Sequence, residues 1–461
     1  MFQVRYDQPL HIHFIGIGGI SMSGLAEILL DRGFTVSGSD MHESDLVAHL
    51  RSKGATIFVP QSRDNVIDGI EVVCYTAAIH EDNPEYIACK EKGLPMLSRA
   101  ELLGELMGNY QEAINIAGTH GKTTTTSMIS EILLHAEKDP TISLGGVLDD
   151  IGGNVRVGKQ DYFVVEACEY TNSFLSFCPT VSVILNVEED HLDFFKDIED
   201  IRHSFRLFCE RTKENGCIIM NQEINQYEEL VGSSKAKVIT FGFEESADYY
   251  AEDIHYDEQA NATFTVYEKG NALGKVKLNV PGKHNVSNAL ASIAVGRYFA
   301  LDFAIIQKGL AMFGGTHRRF EYKGKYHGFT IIDDYAHHPQ EIEASISTAK
   351  NIPHKKLWVA FQSHTYTRTL ALLDDFAKVL AEADAVIVSD IYAAREVNES
   401  GVSGKDIVDR ILPINKEAYY IPTFEEIEEF CIEHLEEGDV LITMGAGDIN
   451  LVGEHILQRE C

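Results

Sequence analysis

Nowhere in this 461-residue sequence do apolar residues run on for the roughly 18 positions that a membrane-spanning helix needs. The opening residues, MFQVRYDQPLHIHF, lack the basic stretch and apolar segment of a secretory leader, so a cytoplasmic protein is expected. Basic residues are scarce: 39 Lys and Arg stand against 71 Asp and Glu, a net charge of -32. Such a surface repels phosphate backbones and anionic lipids. Neither nucleic acid nor a membrane is therefore expected as a partner, and an anionic substrate would need its own basic pocket. The eight cysteines, at 74, 89, 168, 178, 209, 217, 431 and 461, form no CxxC pair and no tight Cys/His cluster. That argues against a zinc site or a disulfide framework and leaves buried thiols in a reducing compartment. Repeats of solenoid period and low-complexity tracts are absent as well.

What remains is the length and pattern of a soluble enzyme of about three domains. Short apolar runs at 11–17, 34–40, 55–59 and 71–76 alternate with helix-like stretches at 22–31 and 44–53, which predicts a doubly wound parallel sheet. A second α/β unit begins near 113 and includes runs at 161–167 and 181–187. A strand-rich section follows at 217–280, then a helix at 285–300, suggesting a parallel sheet with a smaller antiparallel flap. A third alternating series has strands at 329–335, 356–362, 384–392 and 439–447. The expected domains are residues 1–106, 107–314 and 315–461.

The apolar run 113–117 empties into GTHGKTTTT, residues Gly118, Thr119, His120, Gly121, Lys122, Thr123, Thr124, Thr125 and Thr126. Glycines let backbone N–H groups converge on an anion, and the next helix adds its positive end. Lys122 brings a point charge, and Thr123 offers magnesium a hydroxyl. The spacing is that of a shortened P-loop, because the first glycine of the full motif would fall at Ile116. ATP consumption is expected. A second glycine loop, Gly16-Ile17-Gly18-Gly19-Ile20-Ser21-Met22-Ser23-Gly24, follows the first strand, with Ser39 and Asp40 ending the second. It departs from the dinucleotide fingerprint at Ser21. Its amides still suit a diphosphate, and Asp40 a ribose hydroxyl. Taken alone, this loop would also fit a nicotinamide-dependent oxidoreductase, which leaves GTHGKT unexplained.

Further candidates stand at strand ends. Glu166, Glu169 and Glu188 are alternative carboxylates for a nucleotide-bound magnesium, beside Asp190 and His191 in NVEEDHLDFF. His191 reads equally as a helix cap or a hydrogen-bonded histidine. Asn285 and Asn288 in GKHNVSNALA would cap a helix or meet an adenine edge. Arg318 and Arg319 in GGTHRRFE stand at a domain joint, where an arginine could stabilise a transferring phosphoryl group. Asp334 and His338 in DDYAHHP, His364 and Arg368 in FQSHTYTRT, and Arg395 in DIYAARE end strands of the third series, where cations could receive a carboxylate.

In order, HFIGIGGISMSG, GTHGKTTTT, EACEY, NVEEDHLDFF, GKHNVSNALA, GGTHRRFE, DDYAHHPQEI and DIYAAREVNESGVSG span nearly the whole chain and resemble the Mur ligases of peptidoglycan synthesis, most of all their alanine-adding branch. GTHGKT alone would suit the wider group that includes folylpolyglutamate synthase. The resemblance implies an α/β protein of three domains: an N-terminal Rossmann-like domain for a UDP-sugar, a central P-loop ATPase-like mixed sheet, and a C-terminal Rossmann-like domain. It implies that ATP phosphorylates the lactyl carboxylate of UDP-N-acetylmuramate and that L-alanine attacks the acyl phosphate. A muropeptide-recycling ligase is the alternative within the family. By the same resemblance Lys122 and the loop amides hold phosphates, and Thr123, Glu166 and His191 ligate Mg2+. Asn285 and Asn288 face adenine, while Arg319 and Asp334 serve the nucleotide. Gly16, Gly18, Gly19, Ser39, Asp40, His338, His364 and Arg368 serve the other substrates. A monomer or weak homodimer is expected. Several relatives carry a carbamylated lysine after the DH motif; here that stretch offers Arg202 and Arg206, so no such modification is expected.

Overall fold

The computed structural model describes residues 2–192, 194–394 and 396–459. Arg395 and Cys461, named above, lie outside the described residues. The chain packs as two compact units: residues 1–187, 199–241 and 291–309 form one, and residues 188–198, 242–290 and 310–461 the other.

Two sheets belong to the first unit. The N-terminal sheet runs Thr56–Phe58, Thr35–Ser39, His11–Ile15, Val72–Tyr75, Met96–Ser98, with every pair parallel. The chain leaves the middle strand to one side and returns to the other. That reversal opens a crevice at the strands' C-terminal ends, where the glycine loop sits. The fifth strand, three residues long, has no clear pattern in the sequence. The second sheet runs Lys237–Gly242, Cys217–Asn221, Val181–Ile184, Glu112–Ala117, Tyr162–Glu166, Thr141–Leu148, Gly153–Arg156. All its pairs are parallel except the last, a hairpin. Glu112–Ala117 is thus a central strand covered on both faces, which is why it reads as a mainly apolar run.

The hairpin was not legible beforehand, because glycines and acidic residues interrupt its alternation. Its second strand lies on the helix Ile20–Asp31: a Cβ added at Gly24 would stand 2.3 Å from Val155 Cγ2. The last glycine of GIGGISMSG is therefore a packing requirement. Gly24→Ala should lower stability by about 1–3 kcal/mol through overpacking, read as a drop in melting temperature.

The helix Lys122–His135 absorbs all four threonines of GTHGKTTTT. Thr126 satisfies its hydroxyl within the helix by donating it to the Lys122 carbonyl at 2.7 Å. Further along, Glu131 is buried, and burial, followed by the charge of Asp150, raises its pKa to about 7. A raised folded-state pKa favours folding below the unfolded value, and that contribution is lost as pH rises through 7. Glu131→Gln should therefore gain about 2 kcal/mol over wild type at pH 8 and little at pH 4, measured as melting temperature against pH.

In the second unit, Tyr249–Tyr256, Asn261–Glu268 and Asn271–Pro281 form the antiparallel flap. The C-terminal sheet runs Glu321–Tyr326, Phe329–Asp334, Val440–Met444, Leu357–Phe361, Ala385–Val388, Ala418–Tyr420 and is parallel apart from its first pair. No helix among the described residues is long and apolar enough to cross a membrane. The seven described cysteines are all free.

Candidate active site

The phosphate loop takes its shape from two glycines and one asparagine. Gly118 at φ 148° and Gly121 at φ 83° occupy backbone conformations closed to most residues, and Gly121 caps the helix without a side chain. Asn186, ending the next strand, closes the turn. It accepts the His120 N–H at 2.8 Å, donates its side-chain amide to the His120 carbonyl at 3.1 Å, and accepts the Thr119 N–H on its own carbonyl at 3.3 Å. Sequence reasoning passed over Asn186; its place at a strand end beside the loop was the available signal.

The Lys122 ammonium donates to the carbonyls of Gly118 and Thr119, at 2.5 and 3.0 Å, and to Glu169 at 3.1 Å. Burial is the largest single influence and works against its charge, but Glu169, by charge and hydrogen bond, with Cys168 and Glu166 together outweigh it, and the lysine pKa is raised. Lys122 is therefore a fixed cation. Of the three carboxylates left open for magnesium, Glu169 is the lysine's partner. Glu166 accepts the Gly145 N–H at 2.6 Å. A Cβ on Gly145 would fall 2.9 Å from Glu166 Oε2, and one on Gly146 would fall 3.1 Å from the Thr123 methyl. The adjacent glycines thus let this strand pass close to Glu166 and Thr123. A pair of glycines inside a strand pattern signals such close approach. Their hydroxyl and carboxylate oxygens are the hard donors that magnesium prefers. His191 belongs to the other unit.

In the first loop, the amides of Gly16 and Ile17 both donate to the Ser39 carbonyl at 2.9 Å. The Gly18 amide donates to Asp40 at 2.8 Å, so Asp40 pins the loop. Ser39 is fully buried and donates its hydroxyl to Glu85, which makes it a support beneath the loop. Gly19, exposed, opens the helix Ile20–Asp31. Arg202 donates to the carbonyls of Asn225 and Gln226 at 2.7 and 3.1 Å, a role in holding a loop.

The second unit collects the C-terminal candidates. Arg368 pairs with Asp190 at 3.1 Å. Burial opposes the charge of Asp190, yet His191, Arg368 and His338 together bring its pKa down to about 2. His191 adopts φ 53°, a left-handed conformation uncommon outside glycine, with its amide donated to Asp190 at 2.7 Å. His338 is buried at the start of the helix Pro339–Ala349. The His364 ring stacks on Tyr392, and burial lowers its pKa; the same cause brings His337 to about 4.

The two arginines at the joint separate clearly. Arg318 is bolted in place, donating to Asp333 at 3.1 Å and to the carbonyls of Gly445 and Gly447 at 2.8 and 3.0 Å. Among the described residues, the Arg319 side chain makes a long ion pair of 3.9 Å to Glu341 and lies over the Tyr335 ring, a looser hold than that on Arg318. Burial raises Asp334 to about 6, and Ser345 and the Ala336 amide donate to it. Asn285 donates to the Pro281 carbonyl at 2.7 Å, and Asn288 to the Asn285 side chain at 3.0 Å.

Residues 11–111 match the profile described as Mur ligase family, catalytic domain, residues 116–296 the Mur ligase middle domain, and residues 318–447 the Mur ligase, glutamate ligase domain. The chain is 58% identical over 459 residues to the UDP-N-acetylmuramate--L-alanine ligase of Agathobacter rectalis, covering 100% of both chains. It is 56% identical over 459 residues to the enzyme of the same name from Lachnospira eligens, covering 99% of this chain and 100% of that one. Among solved structures, the UDP-N-acetylmuramate-alanine ligase MurC of Thermotoga maritima matches with a TM-score of 0.80 and 34% identity, covering 98% of this chain and 99% of that one. With three α/β sheet systems in the family's order, a phosphate loop carrying a charged lysine, and full-length identity of this degree, the chain belongs to the Mur ligase family.

Proposed function

We infer that this chain is an ATP-dependent ligase of peptidoglycan precursor synthesis, joining L-alanine to the lactyl carboxylate of UDP-N-acetylmuramate. Full-length identity of 58% to a UDP-N-acetylmuramate--L-alanine ligase is the observation that carries this reading. A carboxylate is a poor electrophile. Transfer of the γ-phosphoryl group of ATP to one of its oxygens releases ADP and makes an acyl phosphate. The alanine amine then forms the C–N bond and sheds a proton, and phosphate leaves with the cleaved C–O bond.

The residues divide this work as follows. Lys122 and the amides of the loop from Gly118 to Thr124 hold the β- and γ-phosphates, and the lysine charge offsets charge developing on the transferring group. Thr123 and Glu166 hold Mg2+, which neutralises phosphate charge when bound, and His191 serves a second ion. Arg319, the more loosely held of the pair, meets the phosphates. Asn285, Asn288 and Asp334 address the nucleotide. Gly16, Gly18 and Gly19 present amides to the UDP diphosphate, with Ser39 and Asp40 shaping that loop. His338, His364 and Arg368 receive the amino acid's carboxylate. Residues 1–106, 107–314 and 315–461 are the domains for UDP-sugar, ATP and amino acid, in a monomer or weak homodimer working in the cytoplasm.

Phosphate release by the purified protein should require ATP, UDP-N-acetylmuramate and L-alanine together. Release with UDP-N-acetylmuramate and a muropeptide, and none with free alanine, would reassign it to peptide recycling.

A further inference from the structure

Beneath the first glycine loop lies a chain of polar groups that neither the phosphate chemistry nor the loop amides account for. His13, Ser37, Ser39 and Glu85 are each 0% exposed. Glu85 Oε2 accepts the Ser39 hydroxyl at 2.6 Å, and Glu85 Oε1 lies 2.7 Å from His13 Nε2. On its far side, His13 Nδ1 is 2.8 Å from Ser37 Oγ, which is 2.8 Å from Nε2 of the half-buried His11. One assignment satisfies all of these contacts: His11 donates to Ser37, Ser37 to His13, His13 to Glu85, and Ser39 to Glu85. Two donors, His13 Nε2 and the Ser39 hydroxyl, then meet on one carboxylate.

The placement has a backbone cause. His13 pairs with Ser37, and Ile15 with Ser39, in neighbouring parallel strands, so both serines and His13 share a face. The helix Pro84–Glu91 covers that face with Glu85 in its first turn. There Asn83 accepts the Glu85 N–H at 3.0 Å, and the helix's positive end favours a carboxylate. A carboxylate with no solvent access is retained only where its hydrogen bonds are complete, and a hydrophobic residue would pack here without such requirements.

Ser39 links this chain to the loop. Its carbonyl accepts the amides of both Gly16 and Ile17 at 2.9 Å, and its neighbour Asp40 accepts the Gly18 amide at 2.8 Å. Gly16, Gly18 and Gly19 have no side chains with which to fix themselves, so beside the buried Ile17 the loop's shape follows from where residues 39 and 40 stand. Glu85 fixes the side chain of residue 39, whose backbone lies in the sheet between Ile15 and Phe58. We propose that Glu85, oriented by His13, is a positioning residue for UDP-N-acetylmuramate: it holds Ser39 so that the amides of Gly16 to Gly19 converge on the diphosphate. The proposal rests on the reading that this loop binds the UDP-sugar.

The test uses the full-length enzyme. Glu85→Gln keeps the shape but offers one acceptor oxygen for two donors. It should raise KM for UDP-N-acetylmuramate about tenfold while kcat and the KM values for ATP and L-alanine stay within about threefold. Ser39→Ala, a smaller change that keeps the backbone carbonyl, guards against a Glu85 variant that fails to fold and should show the same split. The double variant should be no worse than either single one, since both break one link. Unchanged KM for the UDP-sugar in both single variants overturns the proposal. So does a parallel rise of all three KM values with a fall in melting temperature, which a merely structural role would produce. The underlying reading is checked separately by Gly19→Val, because a Cβ there meets nothing nearer than 3.8 Å and the added bulk falls on the exposed loop. Loss of UDP-sugar binding by calorimetry, with ATP binding intact, supports the reading. Unaltered UDP-sugar binding in this variant overturns both.

Discussion

Lys122→Ala should lower ligation turnover by about a thousandfold, measured as ADP and phosphate release at saturating substrates. The lysine is a pre-placed cation: its ammonium is fixed by two loop carbonyls and Glu169, and it keeps its charge despite burial. A charge already in place needs no rearrangement when the phosphoryl group becomes more negative in flight, so its loss falls on kcat more than on KM for ATP. The same substitution takes the ammonium away from Glu169, whose side chain is 3% exposed, and should lower stability by about 1–3 kcal/mol. Adding Glu169→Gln should recover much of the melting temperature and none of the turnover. Recovery of turnover in the double variant would mean that Lys122 serves only to neutralise Glu169.

Arg368→Ala is expected to have the second largest effect, reducing kcat/KM for L-alanine at least a hundredfold if its guanidinium receives the amino acid's carboxylate. Stability should fall as well. Asp190 has its pKa drawn down to about 2 against the opposing effect of burial, with His191, Arg368 and His338 as the cause. A depressed folded-state pKa contributes stability above the unfolded value near 3.8, and that contribution is lost as pH falls toward 2. The whole shift amounts to about 2 kcal/mol, of which the arginine supplies a part. The gap in melting temperature between wild type and Arg368→Ala should therefore be constant above pH 5 and narrow as pH falls below 4. A gap that does not change with pH would remove Asp190 from the explanation.

Much of the fold could be read directly because buried parallel strands leave a plain signature. Glu112–Ala117, Val181–Ile184, Leu357–Phe361 and Val440–Met444 are covered on both faces, and each appears as a mainly apolar run without strict alternation. Met96–Ser98 and Ala418–Tyr420, three residues each at sheet edges, carry too few side chains to show any period. The hairpin of Thr141–Leu148 and Gly153–Arg156 was missed for a different reason: its glycines answer to Glu166 and Thr123, and its Val155 to Gly24, all distant in sequence.

Local sequence by itself determined the residue types and their order: glycines where the backbone must turn left-handed, a lysine at the helix entry, carboxylates and histidines at strand ends. Those choices depend on backbone conformation and side-chain chemistry, which neighbours along the chain dictate. Only the tertiary structure decided which of several equivalent residues does which job. It gave Glu169 to Lys122 and Glu166 to the Gly145 amide, bolted Arg318 while holding Arg319 more loosely, and turned Ser39 inward to Glu85. Each choice rests on hydrogen-bond distances and burial between segments far apart in sequence, and no local pattern encodes such pairings.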